Sequence, residues 1–286
     1  MPPFHLMPAI SNGISLNWDM FHIARLLFPI IGISIVSCSK YNVRGVSNPD
    51  RIVKIMTYNT HHCNPPTKPD VIDIDGIAAA IKSENPDIVA LQEIDVNNTR
   101  SGYQDEADIL AEKLGYSSYY FARAIDFAGG YYGIAILSRY KLSETQTYKL
   151  PTDSATGGEP RVVAMASLTL PGHKKIHFAC THLDAQREHV NRILQIEEIM
   201  NITAASKNSL IIAGDFNAAP ETEVIKKLDK NFIRTCSTCE ITIPGSKRAI
   251  DFIAYRRDAN FKVISHKVLS NIKASDHYPV VAELHY

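Results

Sequence analysis

The chain carries no excess charge of either sign: thirty Lys and Arg balance thirty Asp and Glu among 286 residues. No overall field would therefore draw it to nucleic acid or to an anionic membrane. That weighs against a non-specific nuclease, although local patches such as His173-Lys174-Lys175 and Arg256-Arg257 can still meet phosphate. No Gly-x-Ser-x-Gly elbow is present, which removes the usual frame of a serine hydrolase. No Gly-rich loop of the Walker or dinucleotide type appears either. Cysteine is scarce, at five residues. Cys236 and Cys239 could close a small disulfide loop or stay as free thiols, but a zinc site would need a second Cys pair that does not exist. Cys63 and Cys180 lie in or beside apolar segments and read as buried fillers.

Repeats, low-complexity tracts and linkers are also missing. A 45% apolar and 21% charged composition is that of an ordinary globular protein with ample core. The apolar run from Leu26 to Val36, about eleven residues, is too short to span a bilayer but suits a signal h-region. It leads through Ile35-Val36-Ser37 to Cys38 and resembles a bacterial lipoprotein signal, in which the Cys is lipidated. The expected organisation is a signal-like segment over 1–38, a tether over 39–50 and a single domain over 51–286. Membrane contact would then be through the anchor at Cys38 alone, on a monomer at the bacterial cell envelope. A conventional cleaved signal or a disordered tail is the alternative.

What is present is a set of buried-strand patterns that end in polar side chains. Leu210 to Ala213 is an apolar run long enough for a strand covered on both faces. It stops at Gly214, and Asp215 and Asn217 follow two apart, the spacing that puts side chains on one face of an extended segment. A plain turn is the alternative, because Gly, Asp and Asn are turn residues. The pattern recurs, however. Met56-Thr-Tyr-Asn59 ends in an amide, Ile88-Val-Ala-Leu-Gln-Glu93 in a carboxylate and Phe178-Ala-Cys-Thr-His182 in an imidazole. Asp251 opens another apolar run, and Asp276 and His277 precede the last one. Together they suggest one rim on a rigid scaffold. Carboxylates and amides without a His/Cys cluster suit a hard cation such as Mg²⁺, and two histidines can serve a phosphate as proton or hydrogen-bond donors.

The periodicity gives about ten strand-like runs and about four helices. The helices are marked by Ile74/Ile77/Ile81, by Ala107 to Leu114 with Gly115 as cap, by Gln186 to Ala205, and by a short segment after Pro220. Several strands follow one another directly, so two packed sheets flanked by helices are expected rather than a doubly wound sheet or a barrel.

Tyr58-Asn59, Leu91-Gln-Glu93, Gly133-Ile-Ala-Ile-Leu-Ser-Arg139, Thr181-His-Leu183, Gly214-Asp-Phe-Asn217, Ile250-Asp-Phe252 and Ser275-Asp-His277 resemble, in order, the motifs of the endonuclease/exonuclease/phosphatase superfamily. They cover about Ile52 to Leu284 and are most similar to those of its small bacterial metal-dependent hydrolases. The resemblance implies an α/β, four-layered sandwich of two mixed, mostly antiparallel sheets and a Mg²⁺-dependent phosphoester hydrolase, with Mn²⁺ as a possible substitute. It implies Glu93 as main metal ligand with Asn59 and Asp276 nearby, Asp215 acting on the attacking water, and Asn217 holding phosphate oxygens. His277, oriented by Asp251, and His182 would stabilise transition-state charge, with Arg161 as a further substrate contact. The substrate would be a phosphorylated small molecule, a lipid head group or nucleic acid. DNA cleavage is one alternative activity, and an inactive ligand- or partner-binding member of the family is another. The motifs depart from the family at Ile134, where relatives often carry Asn, and no acidic partner for His182 is evident beyond the candidates Glu106 and Glu159.

Overall fold

The computed structural model describes residues 51–286; the expected signal segment, Cys38 and the tether lie outside the described residues. Alternation of apolar side chains along the strands builds the architecture. In β1 (Ile52–Asn59) Val53 and Ile55 join one apolar cluster, whereas Met56 and Tyr58 join another. In β2 (Ile88–Val96) Ile88 and Ala90 take the first side, and Val89 and Leu91 the second. In β8 (Ser209–Asp215) Ile211 and Ala213 meet the same shared cluster, while Leu210 and Ile212 turn to a third. Period-two strands that are apolar on both faces require cover on both faces. The result is three apolar slabs in a helix–sheet–sheet–helix stack, the four-layered α/β sandwich expected above.

The first sheet contains β1, β2, β3 (Ser118–Phe127), β4 (Gly130–Ser138), β11 (Lys262–Val268) and β12 (Val280–His285), in the order β11-β12-β1-β2-β4-β3. The second contains β5 (Ser143–Leu150), β6 (Arg161–Leu170), β7 (Lys174–His182), β8, β9 (Phe232–Arg234) and β10 (Asp251–Arg256), in the order β5-β6-β7-β8-β10-β9. Both are mixed in the same way: one central parallel pair, β1/β2 or β7/β8, flanked by antiparallel neighbours. A parallel pair needs a crossover. α1 (Ile74–Glu84) supplies the first and α3 (Val190–Ala204) the second, while α2 (Glu106–Leu114) and α4 (Glu223–Asn231) complete the outer layers.

Local chemistry sets the helix ends. The Asp73 carboxylate caps α1 by accepting from the Gly76 N–H at 2.8 Å, and Asn85 ends it in a left-handed conformation ahead of Pro86. Gly115 closes α2 at φ 67°, where a side chain would be strained.

Three segments differ from the sequence reading. β5 and β9 were not anticipated, since β5 is almost wholly polar and exposed and β9 is only three residues long. α3 begins at Val190 rather than at Gln186. The residues before it are held as a loop by the buried Arg192 guanidinium, which donates to the carbonyls of Asp184, Gln186 and Arg187. Cys236 and Cys239 form a disulfide, and Cys63 and Cys180 are free and fully buried. Ile134 lies in the apolar slab between the sheets, opposite Gln92 in the strand register.

Candidate active site

The inter-sheet slab explains why the polar residues meet. Its side chains are aliphatic along most of each central strand and become polar at one end. Continuing the alternation two residues at a time from Ile55 through Thr57 reaches Asn59. From Ile88 and Ala90 it reaches Gln92, from Phe178 and Cys180 it reaches His182, and from Ile211 and Ala213 it reaches Asp215. Asp251 stands on the same side as Ile253 and Tyr255. Pairing fixes the lateral positions: Asp215 is directly opposite His182 on one side and Asp251 on the other. Three neighbouring strands thus place a carboxylate between an imidazole and a second carboxylate, all within the slab.

Glu93 should be the exception, because strict alternation would turn it with Val89 and Leu91 towards the helices. A β-bulge between Gln92 and Ile94, with Glu93 at φ 58°, re-aims it. Glu93 is therefore not at a strand end, as the sequence suggested, but at an interruption inside β2. Asn217 also departs from expectation. β8 stops at Asp215, and Asn217 (φ 47°) sits in a turn whose N–H donates to Asp215 Oδ1 at 2.8 Å. Turn chemistry rather than strand periodicity relates the two residues: the Asp215 carboxylate meets the Asn217 backbone, while Asn217 Nδ2 donates to the Leu183 carbonyl at 3.0 Å.

Asp215 Oδ2 is the centre of the arrangement. Asn59 Nδ2 lies 3.2 Å from it, His182 Nε2 3.5 Å and His277 Nε2 3.8 Å. The same Asn59 nitrogen donates to Glu93 Oε1 at 2.9 Å, so one amide links the Glu93 and Asp215 carboxylates. Asn59 Oδ1 accepts from the His61 N–H. Ser275 Oγ donates to the Asn59 carbonyl at 2.8 Å and fixes the loop that carries Asp276 and His277. Asp276 is half-buried and faces Tyr58 and His62 electrostatically.

His277 Nδ1 is 3.0 Å from Asp251 Oδ2. Burial alone would lower its pKa, but Asp251, Asp215 and Asp276 together override burial and raise it to about 10. Burial, reinforced by Asp251, raises the Asp215 carboxyl to about 7 against the opposing pull of His277 and its two hydrogen-bond donors. His182 behaves in the opposite way. Burial, then the charges of Arg161 and His277, hold it well below the ordinary imidazole value, so it is neutral.

Its orienting partner is Arg161, which sequence reasoning placed against substrate. Arg161 is 6% exposed, and its Nη1 lies 3.2 Å from His182 Nδ1. A guanidinium can only donate, so Nδ1 accepts and Nε2 carries the hydrogen, directed at Asp215. Glu159 reaches His182 only through Arg161, at 3.0 Å from Nη2. Glu106 is elsewhere, buried at the start of α2 and accepting from the Asp95 N–H. Two features escape the sequence pattern: Tyr132, whose buried hydroxyl interacts with Arg161, and the pair His61-His62 just beyond Asn59. The only signal for the latter was a His dipeptide after a strand end.

A family model described as Endonuclease/Exonuclease/phosphatase family matches residues 56–277, and the chain belongs to that family. Rat nocturnin is 27% identical over 185 residues, which is 60% of this chain and 42% of that protein, so the chain spans about two fifths of this relative's length. A family structure from Beutenbergia cavernae superposes with a TM-score of 0.72 at 23% identity, covering 82% of this chain and 72% of the other. The mannosyl-6-phosphatase of Bacteroides thetaiotaomicron gives a TM-score of 0.66 at 18% identity, covering 82% and 100%.

Proposed function

We propose that the chain is a Mg²⁺-dependent phosphoesterase that hydrolyses a phosphodiester or phosphomonoester by in-line attack of an activated water. The observation that carries this reading is the convergence of Asn59, His182 and His277 nitrogens on one oxygen of the buried Asp215, beside Glu93. Two imidazoles whose Nε2 atoms face one point suit the equatorial oxygens of a transferring phosphoryl group. A carboxyl whose pKa is raised by burial and by Asp251 is suited to align the water and take its proton.

The donor set fits a hard divalent ion. Glu93 and Asp276 are half-buried carboxylates, and among the described residues no thiolate accompanies them. Glu93 would be the main ligand with Asp276, and Asn59 keeps the Glu93 carboxylate aimed. The chemistry such an ion supplies when bound is neutralisation of phosphate charge and assistance to the leaving oxygen. Asp215 holds the water, Asn217 meets phosphate oxygens, and His277, held by Asp251, gives hydrogen-bond and charge stabilisation. His182 donates a neutral N–H fixed by Arg161. The name of the Bacteroides relative supports sugar phosphates as a substrate class to test beside diesters. Balanced net charge makes DNA the less favoured substrate. Anchoring at the cell envelope through Cys38 belongs to the same proposal; fatty-acid label persisting in Cys38→Ser would exclude it.

The deciding experiment assays wild type and His277→Ala with Mg²⁺ or Mn²⁺ against a sugar phosphate, inositol phosphates, a lysophospholipid, sphingomyelin, DNA and a bis-aryl phosphodiester. Hydrolysis of at least one, reduced ~10²–10⁴-fold in the variant, is expected. No turnover by wild type, or undiminished turnover by His277→Ala, overturns the reading.

A further inference from the structure

We propose that His61, His62 and Glu93 form a second metal site, one that takes a divalent transition-metal ion through two imidazole nitrogens and the Oε2 oxygen. The site itself stands on geometry, and only the sharing of Glu93 with the oxygen-ligand position rests on the function proposed above.

Backbone conformation supplies the first ground. His61, His62 and Cys63 are three consecutive non-glycine residues at positive φ (50°, 42° and 54°), a conformation costly for side-chain-bearing residues. It is held from several directions. His62 N–H donates to the Glu93 carbonyl at 2.9 Å, Asn64 N–H to His61 at 2.8 Å and Asp73 N–H to Cys63 at 2.7 Å. The Asn64 amide donates to the carbonyls of Lys68, Pro69 and Val71. The fold maintains a tight left-handed turn whose effect is to bring two imidazoles against Glu93.

The second ground is the state of each nitrogen. His61 Nδ1 lies 2.9 Å from the Asn64 carbonyl, which can only accept, so Nδ1 carries the hydrogen and the Nε2 lone pair is free. Histidine ligands are held in this way: the ring N–H donates to a carbonyl and the other nitrogen faces the metal. His62 Nδ1 is buried without a hydrogen-bond partner and stands 4.0 Å from Glu93 Oε2. One ligand atom from each of the three residues lies within 4.8 Å of the others, so small side-chain rotations close the set. The two rings are 4.4 Å apart and tilted by 57°, not stacked flat. Arg100, the nearby cation, is engaged bidentately by Asp95 at 2.7 and 2.8 Å, which offsets its charge.

Donor chemistry selects the ion. Two imidazoles and one carboxylate suit Mn²⁺, Co²⁺ or Zn²⁺ rather than Mg²⁺. Glu93 then has a use for each oxygen: Oε1 faces Asn59 and the oxygen-ligand side, and Oε2 faces the imidazoles. A carboxylate shared between two ions is the arrangement of two-metal phosphoryl-transfer centres.

The test is equilibrium dialysis of the full chain against Co²⁺, read together with the visible absorption of the bound ion. The comparison is the H61N/H62N double variant, in which Asn tolerates the left-handed backbone and folding is checked by circular dichroism. Wild type is expected to bind one equivalent more than the variant and to show a nitrogen-ligated Co²⁺ spectrum that the variant lacks. Equal stoichiometry in the two folded proteins overturns the proposal. Two bound ions without hydrolysis of any phosphate ester would overturn the esterase reading and leave this site standing.

Discussion

Replacing Arg161 with methionine separates orientation of His182 from mere burial. Methionine keeps most of the apolar bulk but removes every donor. In the wild type Nη1 fixes Nδ1 of His182 as an acceptor at 3.2 Å, and both side chains are about 95% shielded from water. Removing a charged hydrogen bond of this kind and leaving a buried nitrogen unpaired costs ~2–4 kcal/mol of stability. Glu159, half exposed, returns to solvent and adds little. The functional loss is larger in proportion. Without Arg161 only Asp215 holds the hydrogen on Nε2, so the ring is free to rotate and to exchange tautomers. A catalytic histidine held in the wrong tautomer loses up to ~10⁴ in turnover, so Arg161→Met should lower kcat ~10²–10⁴-fold. It should also raise the His182 pKa, because one of the three causes that depress it is gone. Long-range ¹H–¹⁵N correlation spectra of the imidazole read the tautomer directly, and kcat on a bis-aryl phosphodiester reads the consequence. A wild-type His182 protonated on Nδ1, or an Arg161→Met protein with unchanged spectrum and turnover, would exclude Arg161 as the group that fixes the imidazole.

Three further perturbations probe other parts of the structure. Asp251→Asn removes the main charge that raises His277, so the alkaline limb of the activity profile should move to lower pH and turnover fall ~10²-fold or more; an unmoved limb would detach His277 from it. In Gly214→Ala the new Cβ would stand 2.1 Å from the Thr181 carbonyl oxygen, inside the β7/β8 pairing next to His182 and Asp215. A loss of ~1–3 kcal/mol in denaturant unfolding is expected, and a wild-type midpoint would contradict the close approach. Glu106 is raised from 4.5 to about 8, chiefly by burial. Between those pH values the folded state holds a proton the unfolded state has released, so stability falls as pH rises, by a few kcal/mol and at most ~5. Glu106→Gln should flatten that slope between pH 5 and 8, and an equally steep slope in the variant would place the buried proton elsewhere.

The fold was legible wherever strands were apolar on both faces, because such strands admit only a covered position in a layered stack. β5 was invisible for the converse reason: residues such as Gln146, Thr147 and Lys149 pair at a sheet edge and carry no apolar signature. Asn59, His182 and Asp215 could be placed from the sequence because alternation carries the inter-sheet face straight to them. Glu93 and Asn217 were identified as residues but assigned the wrong local structure, since a bulge and a turn each override alternation and neither announces itself in composition. The Arg161–His182 bond joins the first residue of β6 to the last of β7, which requires the antiparallel pairing to be known. His61 and His62 were obscured by a left-handed turn that few side chains adopt.

The Asn59 amide has a mechanical consequence. It extends from the first sheet, and of the two carboxylates it grips, Glu93 belongs to its own sheet and Asp215 to the other. His277 likewise comes from the segment preceding β12 in the first sheet, while Asp251, which holds it, opens β10 in the second. The centre is a vernier for the alignment of two slabs of protein. A slip of one sheet over the other by about an ångström would strain the aliphatic slab and part both of these contacts at once. The same contacts that arrange the chemistry therefore also key the registry of the two sheets.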